Sequence, residues 1–317
     1  MRTFSLRSLL LACVFGMTWM LAAQSASAQI VPGTGTKVPE VGDDFEDGSW
    51  SFTFNEPKSS ENINKQGAYP GGISVNGRWA ESALRGQPDV IRRVATPEGG
   101  IPGSKASLVM RSLHTGVPGR LSFEQQQDDL LMVVSNRVGG YIPVQWNPSV
   151  VVRVFLPEWK YWEQRTGSSF AMRADLVGEK TEQRTSFFRR GSYTKSENYW
   201  PGMFICYNCA KDTPDKKDSA YILIRAGERG EDFNGPIITQ TGWWTLGMSF
   251  TGDGRVHYYA SPGVDDLTSK DYIASRYSYG YHANSFYTAF FNVVNKDDGR
   301  SWSTPWIIDD PMIYWRK

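Results

Sequence analysis

The stretch VVVRVFL, residues 150–156, places one arginine among six apolar residues, and it indicates how the chain folds. Successive side chains of a β-strand point to opposite faces of a sheet. Val150, Val152 and Val154 would therefore face a core, and Arg153 would face outward with Val151 and Phe155. The same alternation occurs in FAMRADL, which contains Arg173, and in AYILIRAG, which contains Arg225. These stretches predict strands with one buried face and one arginine-bearing outer face.

Similar strand-like runs recur to the end of the chain, separated by turn residues, and no segment keeps a helical period. The strongest hairpin signal is GWWTLGMSFTGDGRVHYYAS, residues 242–261. Its apolar residues alternate on both sides of the turn sequence TGDG, as expected for two antiparallel strands. The sequence therefore predicts an all-β fold of two antiparallel sheets packed as a sandwich.

The first 28 residues have the features of a signal peptide. Arg2 and Arg7 give a positive start, an apolar run follows, and ASA (26–28) is a small-residue cleavage site. A membrane anchor is the alternative, but the run is shorter than the ~20 apolar residues of a membrane span. We therefore predict a secreted protein without a transmembrane segment, a flexible Pro/Gly/Thr-rich linker at 29–42, and a single domain at 43–317.

Composition limits the functional classes. Without Arg2 and Arg7 the chain has 32 basic and 33 acidic residues, a net charge of −1. A nearly neutral chain is not expected to bind nucleic acid, because such binding needs a large positive field. Aromatic residues make up 14% of the chain and 12 of them are Trp, a content typical of large β-sandwiches and of sugar-binding proteins.

Three segments in order resemble a known superfamily. DDFEDGSW (43–50), the hairpin at 242–261 and WIIDDPMIYW (306–315) are similar to the first strand, a central hairpin and the last strand of concanavalin A-like lectin/glucanase jelly rolls, which include laminin-G-like modules. The resemblance covers nearly all of 43–317. It implies two curved antiparallel sheets and a concave outer face on which members of the superfamily hold carbohydrate.

On this fold the outward arginines would line one groove. Their planar guanidinium groups match carboxylate and sulfate oxygens, so we predict binding of a polysaccharide, in particular an anionic one. A solvated face on which the arginines pair with acidic neighbours is the alternative. The predicted ligand-binding residues are Arg153, Arg173, Arg189, Arg190, Trp200, Tyr221, Arg225, His257 and Tyr259.

Two further functions stay open. The resemblance implies that a glucanase would carry an E-x-D-x-x-E run, which is absent, and that a polysaccharide lyase would use Tyr or His as base beside Arg. The lyase triplets R-[ST]-E-L and Q-[IV]-H are also absent, but His257, Tyr259 and Arg190 supply the residue types. A non-catalytic surface module that binds protein is the third hypothesis.

Acidic residues near both ends suggest a metal. Asp44 and Glu46 lie in the first strand-like segment and Asp310 in the last, and carboxylate oxygens suit a structural Ca²⁺. These residues could instead form turns and strand ends. Cys206 and Cys209 could form a local disulfide, remain free thiols, belong to a zinc site or act as a redox pair, and the spacing alone does not decide.

Overall fold

A computed structural model of the chain describes residues 29–61, 69–117, 119–186 and 189–317, and gives only the backbone over most of 182–190. The predicted signal peptide, 1–28, lies outside these residues. The strands of the described part, in chain order, are β1 (Thr36–Lys37), β2 (Phe52–Thr53), β3 (Ile73–Ser74), β4 (Trp79–Glu81), β5 (Val90–Ala95), β6 (Ala106–Arg111), β7 (Gln126–Met132), β8 (Ile142–Pro143), β9 (Ser149–Leu156), β10 (Gly167–Ser186), β11 (Arg189–Tyr199), β12 (Gly202–Asn208), β13 (Ser219–Arg225), β14 (Asp232–Ile238), β15 (Gly242–Phe250), β16 (Val256–Pro262), β17 (Tyr272–Arg276), β18 (His282–Asn295) and β19 (Trp306–Trp315).

These strands form two antiparallel sheets. The smaller sheet has the order β17-β16-β15-β9-β19-β6-β5, with β1 beside β19. The larger sheet has the order β14-β13-β12-β10-β18-β7-β4-β3-β2, with β11 beside β10 and β8 beside β18. The predicted fold class, an all-β sandwich of two antiparallel sheets of the jelly-roll type, is confirmed.

The core lies between the two sheets and follows the alternation of the strands. Val150, Val152 and Val154 of β9 are fully buried in it, and Met172 of β10 meets them from the larger sheet's side. Burying one such aliphatic side chain contributes about 1.5–3 kcal/mol. The predicted hairpin at 242–261 is also confirmed, since β15 and β16 pair in register with Met248 opposite Tyr258.

Helices are few and short in the described part. The only α-helix there is α1 (Ser135–Val138), and the 3₁₀ turns are Val144–Trp146, Trp159–Tyr161, Ser269–Asp271 and Ser278–Gly280. In the portion of the chain that the structure covers, no helix is long and apolar enough to cross a membrane.

The segment 29–42 is part of the sandwich rather than a flexible linker. β1 pairs with β19, Val38 and Val41 are fully buried, and the Ile30 carbonyl accepts a hydrogen bond from Ser249 (2.5 Å). Residues 30–33 lie over the outer face of the smaller sheet, whereas Val38 and Val41 reach the core. Isolated valines rather than a repeating pattern anchor this segment, so no periodicity marks it in the sequence.

Strands β10 and β11 continue beyond the rest of the larger sheet. β10 pairs with β18 only as far as Glu179, opposite His282, whereas it pairs with β11 as far as Ser186, opposite Arg189. A two-stranded ribbon therefore extends from the sheet, and Asp175 and Trp200 lie at its base.

Candidate functional site

The outer face of the larger sheet carries a row of stacked side chains. The Arg173 guanidinium carbon lies 5.4 Å from the ring centre of Phe290 and 5.5 Å from that of Phe204. Arg225 stacks on Phe204 at 4.9 Å and forms two hydrogen bonds of 2.9 Å with Asp232. Guanidinium groups over aromatic faces are favourable by about 0.5–2 kcal/mol each. We call this row, Phe290-Arg173-Phe204-Arg225-Asp232, the arginine stack.

Arg173 is the buried member of the stack and lacks a carboxylate partner. Its side chain forms one hydrogen bond, from Nη2 to the Trp200 carbonyl (2.6 Å), and its Nε is buried without an acceptor. No Asp or Glu of the described residues forms an ion pair with it. Burial lowers the pKa of Arg173 to about 10, and the more distant charge of Asp129 opposes this shift. The group therefore stays positively charged at neutral pH with no bonded counter-ion.

A pocket of about 230 Å³ lies beside Arg173 and is called the outer-face pocket here. Trp200 and Phe290, which both contact Arg173, form part of its wall. It is lined by Ser82, Ala83, Leu84, Asp129, Leu131, Asp175, Trp200, Tyr287, Thr288 and Phe290. Aromatic rings together with a few polar groups are the usual lining of a ligand pocket.

Two carboxyl groups of the outer-face pocket have shifted pKa values. Burial raises the pKa of Asp175 to about 6, although a hydrogen bond from Asn198 opposes the shift. Burial also raises the pKa of Asp129, which accepts hydrogen bonds from Asn292 (2.6 Å) and Gln127 (3.1 Å). Desolvation disfavours the charged form of a carboxyl group, so Asp175 gains a proton in mildly acidic solution.

A second, smaller pocket of about 120 Å³ continues from the first along β7 and β18. The two pockets share Leu131, Tyr287 and Thr288. The ring of Tyr141 packs edge-on against Tyr287 at 4.9 Å. The two adjacent pockets therefore form one elongated surface, and Tyr287, which packs against Tyr141, borders both.

The structure divides the predicted ligand-binding residues between two faces. Arg173 and Arg225 lie in the arginine stack, Tyr221 packs beside Phe204 on the same face, and Trp200 lines the outer-face pocket. The side chains of Arg189 and Arg190 lie outside the described residues.

Arg153, His257 and Tyr259 belong to the other sheet, which corrects the prediction of one shared groove. Arg153 lies on β9 of the smaller sheet, where it donates hydrogen bonds to the Val264 carbonyl (3.1 Å) and to Asp266 (2.6 Å). Alternation separates core from outer face, but a sandwich has two outer faces, and the pattern does not distinguish them.

His257 and Tyr259 are buried on the outer face of the smaller sheet. His257 Nε2 bonds the Thr251 hydroxyl (2.8 Å), and burial lowers the pKa of the imidazole. The Tyr259 ring packs with Val151 and Leu267, and burial raises the pKa of its hydroxyl to about 12. Of the predicted catalytic candidates, His257 and Tyr259 therefore lie on the sheet opposite the outer-face pocket, and the Arg190 side chain lies outside the described residues.

Four residues around Arg173 are not among the predicted ligand-binding residues: Asp129, Asp175, Phe204 and Phe290. Asp175 could have been found, because it follows Arg173 at the same-face spacing of two residues. The others come from β7, β12 and β18, and only the sheet order brings them beside Arg173.

The acidic residues predicted to hold calcium do approach one another. Burial raises the pKa of Asp310, and the charges of Asp44 and Glu46 add to the shift. Glu46 Oε1 accepts hydrogen bonds from the amides of Lys105 (2.7 Å) and Ala106 (3.1 Å). Among the described residues, no three His, Cys, Asp or Glu side chains form a group that could hold a metal ion. Calcium binding stays a prediction.

Cys206 and Cys209 are free and buried. Cys206 lies on the outer face of the larger sheet with Ala171 and Phe204, whereas Cys209 belongs to the core. The candidate disulfide is therefore not formed in the structure, since the two thiols lie on different sides of the sheet.

Comparison with known proteins finds similarity only among solved structures. An alginate lyase from Pseudomonas aeruginosa is 8% identical, with 73% of this chain and 87% of that chain covered and a TM-score of 0.36. A GH131 β-glucanase catalytic domain from Podospora anserina is 11% identical, with 77% and 82% covered and a TM-score of 0.39. The carbohydrate recognition domain of Emp47p is 6% identical, with 73% and 90% covered and a TM-score of 0.34.

No protein-family model and no curated protein matches the chain. At such identities and TM-scores, the similar structures say nothing about the ligand of this chain.

Proposed function

We propose that the protein is an exported carbohydrate-binding protein whose outer-face pocket and arginine stack hold an acidic polysaccharide. The observation that carries the proposal is the state of Arg173, a buried cation that forms no ion pair with a described carboxylate and whose Nε has no acceptor, beside an open pocket. A buried charge is costly unless it is paired. The carboxylate of a sugar acid would supply that pairing through charge-assisted hydrogen bonds.

The aromatic residues of the pocket suit the rest of a sugar ring. Trp200, Tyr287 and Phe290 offer apolar surface to its C–H groups, while Asp129 and Asp175 can bond its hydroxyls. The elongated shape of the two joined pockets supports a polymer rather than a single sugar as the ligand.

A glycan panel tests this proposal. Titration calorimetry would compare alginate, pectin, heparin and a neutral glucan on the wild-type protein and on Arg173→Met, which keeps the apolar stem and removes the charge. We expect the wild type to bind at least one acidic polymer more tightly than the neutral glucan. Equal binding of neutral and acidic polymers, or unchanged binding by Arg173→Met, would overturn the proposal.

A polysaccharide lyase is the second candidate, and one observation favours it. Tyr287 and Asp175 line the same pocket beside Arg173, so a proton acceptor, a hydroxyl and a cation lie near one bound uronate. Lyase action leaves an unsaturated product that absorbs in the ultraviolet. Steady growth of that absorbance with an acidic polymer, abolished in Asp175→Asn or Tyr287→Phe, would show turnover, whereas binding without absorbance change supports the first candidate.

A further inference from the structure

A further cavity, larger than the outer-face pocket and distinct from the two pockets above, lies among loops of the sandwich. Its volume is about 400 Å³, within the range of ligand sites in proteins. Residues from the loops after β2, β4, β6 and β18 form it, among them Lys58, Asp89, Arg120 and Asp297. We call it the loop cavity.

The floor of the loop cavity is fixed by a buried ion cluster. Lys58 Nζ donates to the His114 carbonyl (2.6 Å), Asp128 (2.7 Å) and Asp89 (2.8 Å). Asp89 also accepts hydrogen bonds from the amides of Leu113 (2.6 Å) and His114 (2.8 Å). Because all three protons of the ammonium group are engaged, the floor holds its shape without a ligand.

The wall of the loop cavity is fixed in the same way by Asp297. The fully buried Asp297 carboxylate accepts hydrogen bonds from the amides of Thr115 (3.2 Å) and Ser122 (2.8 Å). The backbone carbonyl of Asp297 accepts one from the amide of Phe123 (3.1 Å). The loop that carries Arg120 and Leu121 is thereby tied to the loop after β18. Its position does not depend on the side chains that face the cavity.

Other side chains at the mouth remain available to a ligand. Arg120, His114 and Glu56 are exposed cavity residues, and their side chains form no hydrogen bond or ion pair within the described ranges. Leu121 and Val117 line the cavity beside them and present apolar surface. The Arg120 guanidinium, the Glu56 carboxylate and an apolar wall therefore surround one cavity, whose floor and wall are held by hydrogen bonds.

We propose that the loop cavity is a second carbohydrate site, which binds a single sugar acid. The Arg120 guanidinium would pair with the ligand carboxylate, Glu56 and His114 would bond its hydroxyls, and Leu121 would contact its C–H face. The site is separate from the outer-face pocket and does not depend on it, because the two share no lining residue.

Saturation-transfer NMR with D-glucuronate on the intact protein tests this site, with D-glucose and acetate as reference ligands. Every variant carries Arg173→Met, which removes the cation beside the outer-face pocket: Arg173→Met alone, Arg173→Met with Arg120→Ala and, as a matched control, Arg173→Met with Arg92→Ala, which removes an exposed arginine of β5 that lines neither pocket. We expect glucuronate to bind Arg173→Met with and without Arg92→Ala alike, and to bind the variant that also carries Arg120→Ala about tenfold more weakly.

Three results would overturn the proposal. Glucuronate binding that persists unchanged when Arg120→Ala is added to Arg173→Met would exclude the arginine contact. Binding that disappears in Arg173→Met would assign the ligand to the outer-face pocket. Glucose or acetate bound as tightly as glucuronate would show that the cavity does not recognise a sugar ring and a carboxylate together.

Discussion

The two outer faces of the sandwich contain strands of nearly the same pattern but differ in what covers them. On the smaller sheet, residues 29–35 and the loop that carries Asp266 and Leu267 pack over β9 and β16, and Arg153 bonds that loop. On the larger sheet, Arg173 lies beside an open pocket and bonds only the Trp200 carbonyl. An outward arginine can therefore bond a segment that covers the sheet, as Arg153 does, or lie beside an open pocket, as Arg173 does.

The largest difference is expected when each arginine is replaced by methionine. Arg173→Met should weaken binding of an acidic polysaccharide by about 2 kcal/mol, roughly thirtyfold, because charge-assisted hydrogen bonds are lost. Arg153→Met should leave binding unchanged, because this residue lies on the covered face. Titration calorimetry on both variants checks this, and a similar loss in both would remove the functional distinction between the faces.

Glycine substitutions on the two faces are expected to have the next largest effects. A Cβ on Gly247 would lie 2.4 Å from Leu267 and 2.7 Å from Pro32, whereas a Cβ on Gly202 would lie 2.5 Å from Arg173 Cγ. We expect Gly247→Ala to cost about 1–3 kcal/mol of unfolding free energy and to leave glycan affinity intact. Gly202→Ala should reduce glycan affinity, because Arg173 must move.

Urea unfolding and calorimetry on this pair of variants provide the measurements. If Gly247→Ala folded stably but bound glycan more weakly, the outer face of the smaller sheet would contribute to binding, contrary to our expectation.

The affinity of the larger sheet's open face for an acidic polymer is expected to depend on pH. Asp175 has a pKa raised to about 6 by burial, so it is charged above that pH and repels a ligand carboxylate. Affinity for an acidic polymer should rise as the pH falls from 7 to 5, where the sugar carboxylate remains ionised. Asp175→Asn should bind at pH 7 as the wild type does at pH 5.

The same group affects stability. Burial raises the pKa of Asp175 in the folded state above the ordinary value of 3.8, so the native state holds this proton more tightly and loses stability as the pH rises from about 4 to 6. Asp175→Asn should flatten this dependence in thermal melts, and Asp265→Asn, an exposed control, should not. A flat profile in the wild type would contradict the raised pKa.

The smallest effect is expected for Asp266→Ala on the covered face. The Asp266 side chain is 97% exposed, so its ion pair with Arg153 is well solvated. Such pairs contribute about 0–1 kcal/mol. Urea unfolding should detect at most that change, and glycan binding should not change. A loss of several kcal/mol would mean that the loop itself, and not only the ion pair, depends on Asp266.

The sequence predicted the fold class because alternation is a local property. Val152 and Arg153 point to opposite faces whatever the rest of the chain does, and GWWTLGMSF pairs with its own neighbour across a short turn. The site was predicted only in part, because it depends on the order of strands. Arg173 meets Phe290 and Phe204 since β10 lies between β18 and β12, and no short-range pattern encodes that order.

The cover over the smaller sheet could not be predicted for a related reason. Residues 29–42 have the composition of a linker, and their burial comes from contacts with Ser249 and Gly247, more than two hundred residues away in the chain. Composition indicates how a segment behaves in isolation, whereas this segment is buried by strands that are distant in the sequence.

The arginine stack also affects how a ligand would be received. The Arg173 guanidinium lies over two aromatic rings, and one of its nitrogens bonds the Trp200 carbonyl, so its side chain is held in place. A side chain that is already immobile loses little rotamer entropy on association, a cost that otherwise reaches about 0.5–1.5 kcal/mol for a flexible one. The rings would therefore favour binding indirectly. They preorganise the Arg173 guanidinium, which would itself contact the charge of the ligand.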